Sequence, residues 1–300
     1  MLVGSPDHWH MDHAIDVMQA GKDVYVEKPM CRVRDEAPEM VKTARITGRS
    51  CQIGLQQRSG QIYIEPKARF VTSGEIGKIS HIDAVWHGGV PHRLPTEPAQ
   101  KPSNLDWVRF LGRVKYRDWN PGQYLNFRAF LDFNGGKLTD FGHHWLDVVH
   151  MYMGERAPKS VVFAGGIFFD THDDRTAPDT CNALFEYDGF TVLFQSNAYG
   201  NRSEYGITFY GDKGKLFVNR NRYEFTPGGR TDRPPVVQKI AGDITADHVR
   251  NFLDCCRSRK LPNADAAIAS ISVLPPLLAV QSYQERRRLK FDPLRLEVMP

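Results

Sequence analysis

A lysine locked beside a proline and a histidine spaced four residues from an aspartate are the features of this chain best suited to moving protons. Glu27-Lys28-Pro29 follows a short β-rich run, and the proline ring pushes Lys28 toward an extended backbone. A lysine held at a strand end projects into the crevice beyond it, where its ammonium can donate to a sugar hydroxyl or a ribose. The plainer reading is a surface Lys-Pro turn. In Asp140-Phe-Gly-His-His144-Trp-Leu-Asp147, helical spacing puts Asp140 and His144 on one face. A carboxylate beside an imidazole orients it and raises its basicity, as general acid/base work requires. Asp147, three residues on, can do the same, and His143 points elsewhere and reads as structural. The plain alternative is a capping aspartate with partly buried histidines.

Ser5-Pro6-Asp7-His8-Trp9-His10 follows a strand and opens a helix, a place where free backbone N–H groups receive anions and polar ligands. Equally, Asp7 can cap the helix while the aromatic rings pack. Asp7, His8, His10 and His13 are also metal-ligand types, but no spacing here matches a zinc signature. Gln56-Gln57-Arg58 is polar at the end of the next strand.

These loops need elements to hold them. Leu2-Val3, 23–26 and 50–53 read as short buried strands, separated by helices over 9–20 and 35–47 that stop at Gly21 and Gly48. Strand and helix alternating with glycine turns mean βαβ units and a parallel sheet, with ligands at the carboxyl ends of the strands. After a helix over 63–73 the character changes. Alternating runs at 78–87, 161–169, 181–187, 191–197, 205–210, 215–218 and 222–225 predict an open antiparallel sheet, with hairpin turns at Asp188-Gly189 and at Asp212 to Gly214. One helix, 138–153, interrupts them, residues 91–104 are a proline-rich excursion, and 244–257 and 264–287 are helical. The fold class is α/β followed by α+β. Residues 1–58 are the latter part of a doubly wound domain, and 59–300 form the second domain, whose last helix can pack back on the first.

Composition narrows the rest. The chain has 300 residues, 41% hydrophobic and 25% charged, with a net charge of +4. That excludes a mainly disordered chain and is too weakly basic to argue for nucleic acid. No apolar run reaches the roughly 20 residues of a membrane span. Five cysteines without a C-x-x-C pattern, two of them adjacent at 255 and 256, predict reduced thiols in a reducing compartment. The first residues carry no signal-peptide pattern. No G-x-G-x-x-G follows a strand anywhere in the sequence.

Four stretches, in order and spread over essentially the whole chain, resemble the family of glucose–fructose oxidoreductase, inositol dehydrogenase and the rhizopine-catabolism protein (Gfo/Idh/MocA). They are Gly4 to His10, Gly21 to Pro29, Gly135-Gly136 to His144, and the tail from His248 to Asp254. The resemblance implies a Rossmann-like domain, a second domain with a large open antiparallel sheet, and NAD or NADP as cofactor. It also implies a sugar or cyclitol as substrate and a dimer or tetramer formed through the open sheet. It assigns Lys28 and His144 as the catalytic pair with Asp140 assisting. Ser5, Pro6, His8, Glu27 and Lys28 would line the nicotinamide and ribose, with Gln56 nearby. In the family a glycine-rich half precedes the first strand seen here, so the chain is expected to lack that half and its pyrophosphate cradle. The expected compartment is cytoplasmic, or periplasmic if a signal peptide lies upstream. The expected reaction is reversible hydride transfer, or transient oxidation that permits β-elimination. Two rival classes remain: a metal-dependent sugar isomerase or hydrolase using His8, His10, Asp140 and His144, and a non-catalytic partner subunit pairing through its sheet.

Overall fold

The computed structural model describes residues 1–88, 94, 99–154, 156–197, 205–229 and 232–300. Its first sheet is parallel, in the order β1 (Leu2–Val3), β2 (Val24–Val26), β3 (Cys51–Ile53). Val24, Val26 and Ile53 are fully buried, as expected of strands covered on both faces. The crossovers are α1 (His10–Gln19) and α2 (Glu36–Thr47). Gly21 and Gly48 end them at φ 74° and 62°, the left-handed backbone for which glycine has no Cβ penalty.

The next helix differs from expectation. It runs as α3 (Gln61–Pro66) and then as a π-wound turn over Lys67–Thr72. Pro66 has no N–H for the α-helical ladder, and the register shifts there. β4 (Ile79–Val85) leads into an excursion that carries α4 (Trp107–Leu111) and α5 (Pro121–Leu125). The excursion has its own apolar cluster of Trp107, Leu111, Ala129, Phe130 and Phe133. The proline-rich sequence announces only a loop at 91–104, most of whose first half lies outside the described residues.

Then come α6 (His143–Met153), β5 (Ser160–Gly166), β6 (Thr180–Glu186), β7 (Thr191–Asn197), β8 (Gly206–Gly211), β9 (Gly214–Val218), β10 (Arg222–Pro227) and β11 (Val236–Lys239). The tail is α7 (Ile244–Ser258), α8 (Ala266–Ser272), α9 (Leu274–Glu285), β12 (Leu289–Asp292) and β13 (Glu297–Met299). The second sheet has ten strands in the order β11-β10-β9-β8-β4-β7-β6-β5-β12-β13. It is antiparallel except where β4 lies parallel to β7, with Ile82 opposite Val192. No hairpin joins those two strands, so no turn dictates their relative direction. Its core packs Tyr63, Phe70, Trp145, Phe185, Phe194, Phe209, Tyr223 and Phe225 against the helical layer.

The expected single helix over 264–287 breaks at Val273. Pro275 and Pro276 lack N–H donors and are tolerated in the first turn of α9, where no donor is needed. By length and mean hydropathy of 1.4, Ala266–Glu285 is apolar enough to cross a bilayer, contrary to the sequence reading, but 67% of its most apolar window is buried inside the protein. Ala264, Ala266, Ala269, Val273 and Leu277 complete the core of the parallel sheet. His248 on α7 is fully buried. Its Nε2 donates to Ile53 O (2.9 Å), and its Nδ1 accepts from Ser59 Oγ (2.7 Å). The tail is thereby fastened to the end of β3.

Candidate active site

Lys28 leaves the carboxyl end of β2, and its Nζ donates to Asp140 Oδ1 at 2.6 Å and to the Asp140 carbonyl at 2.5 Å. Arg128 Nε stands 3.8 Å from the same carboxylate oxygen. Asp140 lies in a π-wound turn, Leu138–Gly142, that runs directly into α6. This turn corrects one expectation. A π segment bonds i to i+5, so the spacing of four does not make Asp140 and His144 partners. The carboxylate goes to Lys28, and His144 Nδ1 meets Gln57 Oε1 at 3.1 Å.

The consequence for His144 follows from donor and acceptor types. Gln57 Oε1 accepts only, so Nδ1 carries the proton and Nε2 keeps its lone pair. Burial, reinforced by the Lys28 charge, holds the imidazole well below its usual range. It is therefore neutral near pH 7, with a basic nitrogen available. Trp86 packs over the ring at 6.0 Å between centroids. Gln57 and Trp86 were not singled out for this site in the sequence, and only Gln57's place at a strand end hinted at it.

Asp147 also differs from expectation. Both its oxygens accept from Arg58 Nε, at 2.8 and 2.9 Å, and the two side chains are 1% and 6% exposed. It anchors α6 to the segment after β3 and does not orient His144. His143 is fully buried against Ser272 Oγ (3.2 Å), as a structural residue should be.

The loop after β1 is held from within. His10 Nε2 lies 2.8 Å from Ser5 O and its Nδ1 2.6 Å from Pro29 O, which joins this loop to the one carrying Lys28. Ser5 Oγ lies 3.0 Å from His13 Nδ1. Asp7 does not cap the turn. Pro6 occupies the cap position, and Asp7 lies inside a 3-10 turn, Asp7–Trp9, where it accepts from Asn134 Nδ2. Burial raises its carboxyl to about 7, against the opposing pull of Lys28. His8 Nε2 meets Phe110 O at 2.8 Å and its ring packs on Phe110 and Phe133, so it faces the aromatic excursion. Burial lowers it to about 4. Both His10 nitrogens are spent on carbonyls. Among the described residues, no three His, Cys, Asp or Glu side chains are gathered to hold a metal ion.

The backbone beyond β1 is open. A Cβ built on Gly4 would meet nothing within 4 Å. One built on Gly54 would stand 2.8 Å from Glu27 Oε2, so glycine there makes room for that carboxylate. Gln56 Oε1 is buried with no partner among the described residues. An orphaned acceptor on the segment after β3, with open space over Gly4, fits the amide and ribose end of a nicotinamide nucleotide.

Comparison with known proteins identifies the family to which this fold belongs. Residues 1–55 match the family model described as "Oxidoreductase family, NAD-binding Rossmann fold", and residues 78–300 match its "C-terminal alpha/beta domain". Scyllo-inositol 2-dehydrogenase (NAD(+)) of Bacillus subtilis is 21% identical over 97% of this chain and 77% of its own length. Among solved structures, levoglucosan dehydrogenase in complex with NADH and levoglucosan superposes with a TM-score of 0.76 at 14% identity, over 96% of this chain and 79% of that one. An inositol dehydrogenase homolog from Azotobacter vinelandii, complexed with NADH and myo-inositol, does so with a TM-score of 0.74 at 17% identity, over 97% and 77%.

Proposed function

The chain belongs to the Gfo/Idh/MocA oxidoreductase family, and on that premise we propose that it oxidises a secondary hydroxyl of a sugar, cyclitol or derivative reversibly with NAD or NADP. One observation carries the reading. A neutral histidine held by Gln57, its Nε2 without a hydrogen bond among the described residues, lies near enough to a lysine paired to an aspartate for the lysine's charge to act on the imidazole. Ser5, Pro6, Glu27 and Gln56 border that place and would hold the nicotinamide and ribose. When bound, the nicotinamide supplies the two-electron acceptor.

The chain's own residues do the rest. His144 Nε2 takes the hydroxyl proton as the carbinol carbon gives up its hydride. Lys28 donates to the oxygen while it becomes a carbonyl, and the developing charge is met by a donor already in place. Asp140 keeps the ammonium aimed. The family's use of the open sheet supports association as a dimer or tetramer, through a face that exposes Val162 and Leu184. The free cysteines suit a reducing compartment, the cytoplasm.

The test is a titration of the purified chain with NADH and NADPH, followed by nicotinamide fluorescence. Saturable binding that weakens in Lys28→Ala is expected. No binding of either nucleotide at millimolar concentration removes the dehydrogenase reading for this chain.

A further inference from the structure

Lys137 is a buried ammonium with no ion-pair partner among the described residues. It is 7% exposed, and no carboxylate lies within ion-pair distance of its Nζ among the described residues. The nitrogen donates to one carbonyl, Gly88 O at 3.1 Å, and sits 4.7 Å above the Phe141 ring. An ammonium has three donors, and a desolvated charge needs pairing to be tolerated. Desolvation accordingly lowers the pKa of this lysine.

The neighbouring carboxylates are already engaged. Asp140 is held by Lys28. Asp170 and Asp173 are held by Arg175 at 2.5 and 2.6 Å. Asp179 accepts from the backbone N–H groups of Phe168, Phe169 and Asp170 and from Thr180 Oγ1. A cavity of about 20 Å3 opens among them, lined by the cations Lys137, Arg128 and Arg175 and by the engaged carboxylates Asp140, Asp170 and Asp179. That is room for one oxygen-sized group. Arg128, 44% exposed at its side chain and stacked on Phe127, stands at this cavity.

We propose that Lys137, with Arg128, receives a carboxylate substituent of the substrate, so that the sugars this site prefers are sugar acids. A neutral hydroxyl fills the donor but leaves the charge uncompensated, whereas a carboxylate does both and gains a charge-assisted bond. The small cavity admits a planar carboxylate oxygen more readily than a tetrahedral phosphate. The inference rests on the sugar-oxidoreductase reading above and adds the class of sugar.

The test is calorimetric titration of the full chain with D-glucuronate, D-galacturonate and D-gluconate. D-glucose, D-galactose, myo-inositol and D-glucose 6-phosphate serve as comparators, and NADH binding is measured on the same samples. At least one acid should bind more tightly than its neutral counterpart. Lys137→Met should weaken that acid about tenfold to a hundredfold and leave neutral sugars unchanged, and the more exposed Arg128→Met should weaken it less. Equal binding of acids and neutral sugars, an acid affinity unmoved by Lys137→Met, a preference for the phosphate, or binding of none of them overturns the proposal. Failure of NADH to bind alongside Lys137-dependent acid binding overturns the dehydrogenase reading instead.

Discussion

Two ion pairs tie the parallel-sheet region to the segment around α6, and they are built for different work. Arg58–Asp147 is a fork on a carboxylate in a dry interior, 6% and 1% exposed. Lys28–Asp140, seven residues earlier on the same segment, is a point charge at a cleft edge, 13% and 17% exposed. The first fixes geometry, because a planar guanidinium holding both carboxylate oxygens leaves little freedom. The second can be reorganised by a ligand, because an ammonium's donors rotate. One position on the segment is thus a fixed anchor and the other a working surface.

Removing each acid separates these roles with the largest effect. Asp147→Ala takes from a buried guanidinium the carboxylate it pairs with, which costs about 3–5 kcal/mol and should appear in the denaturant midpoint. Asp140→Asn keeps an amide oxygen that can accept from Lys28, so it should cost less, about 1–3 kcal/mol, yet lose turnover as Lys28 loses its aim. If the two variants are equally destabilised, the distinction fails.

A second test concerns the carboxyl that lies beneath the working surface. Asp7 has a folded value of about 7 against an ordinary 3.8. Between those values the folded protein holds a proton that the unfolded chain has released. Stability therefore falls as pH rises from about 4 to 7 and levels off above, by up to about 4 kcal/mol. His8, lowered to about 4, and His143, lowered to about 3, act oppositely: their contribution is lost as pH falls below their ordinary 6.5. The clean reading is the difference between the parent and Asp7→Asn at each pH. That difference should grow in the variant's favour from pH 4 to pH 8, measured by denaturant unfolding. A flat difference would mean that Asp7 titrates as an ordinary carboxylate.

What the sequence disclosed and what it hid divide along the same line. Buried strands punctuated by glycine, the Lys28 loop and the helix bearing His144 are local patterns, and all were legible. Partnerships were not. Lys28 meets Asp140 112 residues away, Arg58 meets Asp147 89 residues away, and Gln57 meets His144 87 residues away, distances over which no periodicity speaks. The π-wound turn was hidden because helical spacing looks the same in sequence whichever ladder forms. The parallel β4–β7 pair has no turn signal to announce it, and β11, β12 and β13 are too short, at three or four residues, to display alternation.

Gln57 gives the smallest effect and the finest probe of the working surface. Its Oε1 fixes which His144 nitrogen carries the proton, so Gln57→Leu, of similar volume, should preserve stability and NADH affinity while letting both tautomers form. Only the Nδ1–H form offers Nε2 as base, and kcat should fall by about tenfold, equivalent to about 1.4 kcal/mol. Gln57→Glu sets a carboxylate beside the ring instead, which favours the imidazolium. Loss of the neutral base should then begin at a higher pH, moving the acid limb of the kcat profile upward. A Leu variant with unchanged kcat, together with a Glu variant whose acid limb stays put, would show that proton removal does not pass through His144 and would return the role of base to the Lys28–Asp140 pair.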